Sequence, residues 1–288
     1  MIDHDQNIRE EHEFAKNCSI DIMHVKSIPY DEYRAHPAHN QTFLRHVLEH
    51  GLNKAKEMRA NPDEPTDDML LGSVHHAYLS QKPEIQHKYE RVPKVDLRTK
   101  EGKAVWAALE ASKGPGVTLV KEQIWDKAHL LAHKAKEARK EVLGIETIEE
   151  QHTEVSLVAK VRMKTEAKTI DFDLKGQLDL VWMQGAGKPV LVIDYKTSSS
   201  CAEVPVARKS RDSMWPLQAY CYASLAAAYW QAPASAYYIV SSKETETSRV
   251  YSFGPDSMTH GRFLMACAAY RCETQMDSDV KHQGITLL

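Results

Sequence analysis

Gly176–Thr197 reads GQLDLVWMQGAGKPVLVIDYKT. It holds two short apolar runs, and each carries an acid where a strand would ordinarily carry another Val or Ile. Asp179 stands inside GQLDLVW, and Asp194 ends VLVID with Lys196 two residues on. Residues i and i+2 of a strand share a face, so Asp194 and Lys196 project side by side. The intervening GAGKP supplies Gly185, Gly187 and Pro189, turn residues suited to a hairpin that folds Asp179 back onto the pair. Two carboxylates and an ammonium at one spot can hold a divalent metal and activate a water.

A bare D-x-K on a strand is more often a surface ion pair. Here the context argues otherwise. VLVI is a continuous apolar run, the pattern of a strand buried on both faces. Charges at the end of such a strand need partners or a metal.

The chain has 288 residues, 42% of them hydrophobic, with 37 Lys and Arg against 40 Asp and Glu for a net charge of −3. That is enough for one large domain or two modest ones, and it carries no global polybasic signal. Local basic clusters stand at Lys94/Arg98/Lys100/Lys103, at Lys134/Lys136/Arg139/Lys140 and at Arg208/Lys209/Arg211. Each is equally readable as a solvated helix face or loop. The five cysteines are scattered with no C-x-x-C, a spacing that suits neither a zinc ribbon nor an iron–sulfur cluster. The N-terminus MIDHDQNIREEHEF has no hydrophobic signal core, and no apolar run reaches the length of a membrane span. The expectation is a soluble, cytoplasmic protein of a bacterial or phage-infected cell.

Patterning predicts helices over Asp31–Arg59, Met69–Leu79, Lys103–Ala111, Val120–Leu143, Trp215–Trp230 and Met258–Met276. Strands are predicted at Glu154–Val161, Phe172–Trp182, Pro189–Lys196, Ala236–Ser242 and Arg249–Phe253, with Lys82–Arg98 irregular. Residues 1–30 read as an N-terminal segment of uncertain order. Residues 31–288 read as a single domain, helical over about 31–150 and built on a sheet over about 151–288. The class is mixed α/β (α+β mixed), with a central mixed β-sheet flanked by helices.

Three motifs in order give the site a wider frame. Gly72-Ser73-Val74-His75-His76 matches a G-x-x-x-H helix motif. Gly176, Asp179, Asp194 and Lys196 match G-x-x-D … D-x-K, and Gln218-Ala219-Tyr220-Cys221-Tyr222 matches Q-A-x-x-Y. With VDLRTKEGK at Val95–Lys103, this ordered set resembles the PD-(D/E)XK nuclease superfamily, and within it the RecE-type, exonuclease VIII-like enzymes of phage recombination. It spans about residues 70–225. The chain departs from the pattern in having Leu178 where a proline is typical, and Asp rather than Glu in D-x-K. Two adjacent histidines leave His75 or His76 as the motif's imidazole.

The resemblance implies a restriction-endonuclease-like core with an N-terminal helical elaboration. It implies metal-dependent 5′→3′ hydrolysis of double-stranded DNA from its ends, exposing 3′ single strands for recombination by strand annealing. The expected metal is Mg²⁺ or Mn²⁺, held by His76, Asp179 and Asp194, with the Tyr195 backbone carbonyl added by the resemblance. Lys196 is expected to position the attacking water and stabilise developing charge. Gln218 and Tyr222, four apart on one helix face, would contact the lysine or a DNA phosphate. Glu154 is a possible accessory. Trp106, Trp125 and Trp215 read as core, or as a wedge between bases. The expected partners are double-stranded DNA ends, a RecT-like annealing protein and further copies of the chain in a ring, with no membrane. The alternatives are a structure-specific or CRISPR-adaptation-type endonuclease, the latter normally carrying an iron–sulfur cysteine cluster, and a non-catalytic nuclease-fold DNA-binding protein.

Overall fold

The computed structural model describes residues 4–80, 82, 87–96, 98–148, 152–185 and 187–276. Its centre is a strand of unbroken apolar residues. β6 (Val190–Ser198) buries Val190 and Val192 on one face and Leu191, Ile193 and Tyr195 on the other. A strand apolar on both faces needs helices on both, and the chain supplies them. α3 (Gln41–His50), α9 (Trp215–Trp230) and α10 (Pro255–Glu273) cover one face. α5 (Asp67–Ser80) and α7 (Glu122–Leu143) cover the other.

The sheet is six-stranded and mixed, in the order β1-β4-β5-β6-β7-β8. β1 is Ser19–Ser27, β4 Thr153–Lys164, β5 Thr169–Met183, β7 Ala234–Ser242 and β8 Ser248–Ser252. β6 and β7 pair in parallel, joined by a crossover through α8 (Glu203–Asp212) and α9, and the other neighbours are antiparallel. β5 and β6 form the expected hairpin, and its loop uses Gly185 and Gly187 at φ 107° and 77°.

The mixed sheet with flanking helices agrees with the sequence reading, and several boundaries move. Residues within 1–30, expected to be of uncertain order, form α1 (His4–Asn17) and the edge strand β1. β1 pairs on one side only; Ile20, Ile22 and Val25 turn toward the core, but a register shift between Met23 and Lys26 interrupts the period and leaves the signal short. Asp31–Arg59 divides into α2 (Tyr30–Ala35), α3 and α4 (Leu52–Ala60), broken around Pro37 and at Gly51 (φ 79°). The stretch read as irregular contains β2 (Tyr89–Val92), whose parallel partner is β3 (Thr118–Lys121). α6 (Lys100–Ser112) begins earlier than periodicity suggests because Thr99 caps it, accepting from the Gly102 N–H. No helix among the described residues is long and apolar enough to cross a membrane.

Candidate metal centre

The site forms where the β5–β6 ladder stops and the β4–β5 ladder skips a pair. β5 and β6 pair up to Leu180 with Ile193, so the next pair in register is Asp179 with Asp194. β4 and β5 pair at Thr153 with Leu180 and at Val155 with Leu178, leaving Glu154 opposite Asp179 in the gap. Three acids thus stand in one row across β4, β5 and β6. Glu154 takes a left-handed conformation at φ 49°. That conformation costs a non-glycine residue about 1 kcal/mol or more and is found where a site holds it in place. Where the β5–β6 ladder ends, the Tyr195 N–H donates to Asp179 Oδ2 at 2.8 Å instead. One carboxylate therefore replaces a backbone acceptor and pins the two strand ends together.

Each acid has its own support. His76 Nδ1 lies 3.2 Å from Asp179 Oδ2, presented from the middle of α5. Gln177 Nε2 donates to Glu154 Oε2 at 2.7 Å. Asp194 is buried, and its Oδ1 accepts from Gln218 Nε2 on α9 at 2.9 Å. Gln218 is held in turn by the Tyr238 hydroxyl, which donates to its Oε1 at 2.9 Å. Lys196 Nζ lies 2.6 Å from Asp194 Oδ2 and 5.2 Å from the centre of the Tyr238 ring. The i+2 geometry expected of Asp194 and Lys196 is what the strand delivers.

Tyr222 is buried one turn beyond Gln218 on α9. Its ring packs over Gly176, where a Cβ would meet Tyr222 at 3.1 Å and Leu225 at 2.8 Å. The glycine of the core motif is therefore a close-approach position between β5 and α9. Tyr195 lines the cleft and turns its ring to the opposite face, where its hydroxyl accepts from Arg139 Nη1 at 3.2 Å.

The histidine ambiguity is resolved by the side α5 shows to the sheet. His76 faces the acids. His75 is fully buried behind them, with Nε2 3.5 Å from Ser241 Oγ, and burial, helped by His76, pushes its pKa down to about 3.

The charges in the cluster are strongly coupled. Burial opposes the His76 imidazolium, yet the carboxylates facing it, Asp179 foremost, raise its pKa to about 9. Burial would raise Asp179 too, but His76, Lys196 and the Tyr195 N–H outweigh it and hold its pKa low. Burial and then Asp179 push Glu154 up to about 8. Burial lifts Asp194 to about 6 against the pull of Lys196.

This set fits a divalent cation. One donor atom from each of His76, Glu154 and Asp179 lies within 4.8 Å of the others. Asp194 is buried beside them, and burial with the crowding of carboxylates raises the pKa of Glu154 and Asp194, a cost that a cation relieves. Oxygen donors with a single imidazole suit a hard or borderline ion rather than a thiolate-loving one. The cluster opens into a cleft of about 720 Å³, walled by α5, β5, β6 and α9.

The model of the PD-(D/E)XK nuclease superfamily matches residues 39–279. The chain belongs to that superfamily. The nuclease shares its fold with the "putative exonuclease" of Eubacterium rectale, at a TM-score of 0.50 and 9% identity over 87% of this chain and 84% of that one. A looser likeness links it to Rai1 of Scheffersomyces stipitis, TM-score 0.30 and 8% identity over 93% and 84% of the two chains. Rai1 of Candida albicans in complex with pU5-Mn²⁺ gives 0.28 and 8% over 88% and 70%. Among curated proteins none matches the nuclease in sequence.

Some residues singled out in the sequence lie elsewhere. Trp215 opens α9 and packs on Tyr238, Trp125 on α7 packs on Tyr78 of α5, and Trp106 sits on α6 near Lys94 and Arg98. The aromatic residues lining the cleft are Tyr30, Tyr33, Tyr89 and Tyr222, with Tyr195 at its floor. The Lys134/Lys136/Arg139/Lys140 cluster is divided between surface and interior. Arg139 is buried, Lys134 pairs with Glu137, and Lys140 pairs with Glu146. Tyr238 and Gln177 were not anticipated, and neither carries a motif that would have marked it.

Proposed function

We propose that the nuclease is a 5′→3′ exonuclease of double-stranded DNA that uses Mg²⁺ or Mn²⁺ and exposes 3′ single strands for annealing. The observation that carries the hydrolytic reading is the convergence of Asp179, Asp194 and Lys196 at interrupted strand ends, with His76 facing them. The direction, the RecT-like partner, the cytoplasmic setting and a ring of identical chains rest on the RecE-type resemblance.

His76, Glu154, Asp179 and Asp194 would hold the ion, with the Tyr195 carbonyl beside them. A bound divalent ion supplies Lewis acidity and a water of lowered pKa. The protein's own groups do the positioning. Asp194 fixes the Lys196 ammonium, and Gln218, braced by Tyr238, fixes Asp194. Lys196 thereby presents a preset positive charge where negative charge grows on the phosphate and its nucleophile. Its 2.6 Å contact with Asp194 engages the ammonium as a donor, so orientation and charge stabilisation suit it better than proton abstraction. Tyr222 and Gly176 keep α9 seated against β5, which sets the depth of the cleft.

The test uses linear duplex labelled at either end, alongside covalently closed circles, with Mg²⁺ or Mn²⁺. Early release of the 5′ label with intact circles is the expected result. Nicked circles would instead mark an endonuclease, and binding without product a non-catalytic DNA-binding protein.

A further inference from the structure

Beyond the metal cluster, basic side chains gather at the carboxyl ends of β6 and β7. These two strands form the parallel pair of the sheet. In open sheets the crevice outside the carboxyl ends of parallel strands is where ligands settle. Here the strand ends are tied by the Lys243 N–H donating to Ser198 O at 2.7 Å, and by Ser242 Oγ donating to Ser199 O at 2.9 Å. Lys243, the first residue past β7, turns its ammonium to Asp68 on α5, 2.7 Å away. Lys209, on the last turn of α8, reaches back to the residue after Lys196 and donates to Thr197 O at 3.2 Å. Thr197 lines the cleft together with Lys196 and Asp68.

Three ammoniums thus surround one strand end. Their proximity shows in Lys209, whose pKa falls through burial first and then through Lys243 and Lys196. Lys196 is occupied by Asp194, whereas Lys209 donates to a neutral carbonyl, with the Asp68 carboxylate near enough to oppose the fall in its pKa. Lys243 is held by a carboxylate whose side chain is 73% exposed. An ion pair whose carboxylate is that exposed contributes little and exchanges readily for another anion. Compact ammoniums on flexible stems suit phosphate oxygens approached as point charges. Gathering like charges beside a catalytic cleft opposes folding, and an arriving anion relieves it.

We propose that Lys209 and Lys243, beside Lys196, form a phosphate-binding subsite that grips the nucleic-acid strand next to the bond being cut, with Asp68 standing in at Lys243 until the strand arrives. The inference rests on the nuclease reading for what the strand is doing there, and on the lysine geometry for the grip itself. The phosphate is either an internal one of the backbone or the one at a 5′ end.

The test is fluorescence anisotropy of labelled linear duplex with the full chain, Ca²⁺ replacing Mg²⁺ or Mn²⁺, over a salt series. The variants are Lys209→Gln, Lys243→Gln, the pair together, and Asp68→Asn. Each Lys→Gln change is expected to weaken binding about 3- to 10-fold near 100 mM salt, and to reduce the slope of log K against log salt by about one. Asp68→Asn should tighten binding, and that gain should vanish when Lys243→Gln is already present, because the two groups act as a pair. Equal losses on 5′-hydroxyl and 5′-phosphate duplexes assign a backbone phosphate; losses confined to 5′-phosphate duplex assign the terminal one. Variants with wild-type melting, affinity and salt slope would overturn the subsite. Wild-type protein that binds in this manner yet releases no product with Mg²⁺ or Mn²⁺ would remove the nuclease reading and keep the subsite.

Discussion

At the scale of single residues the proposed mechanism acts through orientation. Lys196→Ala should lower cleavage at least about 100-fold, the usual loss when one preset charge or donor is removed from a transition state. Mn²⁺ affinity by calorimetry should meanwhile stay near wild type, and unchanged cleavage would take the lysine out of the mechanism. Gln218→Ala leaves the metal ligands in place but frees Asp194, and it is expected to weaken Mn²⁺ binding about 10- to 100-fold. Wild-type affinity in that variant would show that Asp194 needs no brace. Proton linkage gives a third expectation. In the metal-free protein the pKa of His76 is raised to about 9 and that of Glu154 to about 8, so both carry protons at neutral pH. A cation must displace them. Its affinity should therefore rise with pH by at least about tenfold per unit between pH 6 and 8. Calorimetry in buffers of different ionisation heat should show proton release, and buffer-independent heats would contradict the assignment. Of these residues the sequence marks Asp179, Asp194, Lys196, Gln218 and Tyr222, because each falls in a spaced motif. It does not rank Glu154 with them. A left-handed φ at the start of a strand leaves no trace in composition, and Glu154 acquires its place only through its register opposite Asp179.

At the scale of elements, what positions the site is how α9 sits between the sheet and α10. The seat is tight at two glycines. Gly176 brings β5 against Tyr222 and Leu225 at the active end. At Gly261 on α10 a Cβ would lie 2.0 Å from the Pro216 carbonyl oxygen on α9. Backbone cannot yield as a side-chain tip can. Gly261→Ala is therefore expected to cost about 1–3 kcal/mol or more, as overpacked cores do. Gly176→Ala, which meets side chains, should cost less stability and more activity through Tyr222. Chemical denaturation of both variants checks the order, and a neutral Gly261→Ala would refute the close crossing. β6, α7 and α9 were legible because burial writes itself into them as continuous or periodic apolar residues. β1, β2 and α8 were not. Two are strands that pair on one side only, and α8 is a mostly exposed helix with a single buried apolar residue, Val206.

At the scale of the whole molecule the two ends of the described chain meet. Arg271 on α10 and Glu11 on α1 form a fully buried ion pair at 3.1 Å, across 260 residues of sequence. Arg271 also donates to Leu48 O at 3.2 Å, which brings α3 into the same joint. Breaking such a pair leaves one charge buried and uncompensated. Arg271→Ala should cost about 3–5 kcal/mol, while replacing both partners by apolar residues of similar size should recover much of it. Denaturation of the two singles and the double measures the coupling, and additive losses would show that α1 is not held in this way. By itself the sequence determined the central strand, the acids and lysine on it, and the helix that answers them. These are set by local period and residue chemistry, which the chain carries wherever it folds. The tertiary structure alone decided which histidine faces the metal cluster, that Glu154 joins it, and that Lys209 and Lys243 gather at one strand end. It also decided that Arg139 is a buried brace rather than part of a basic surface. Those are meetings between residues far apart in the chain, fixed by strand register and by the side each helix shows to the sheet, and no local pattern encodes them.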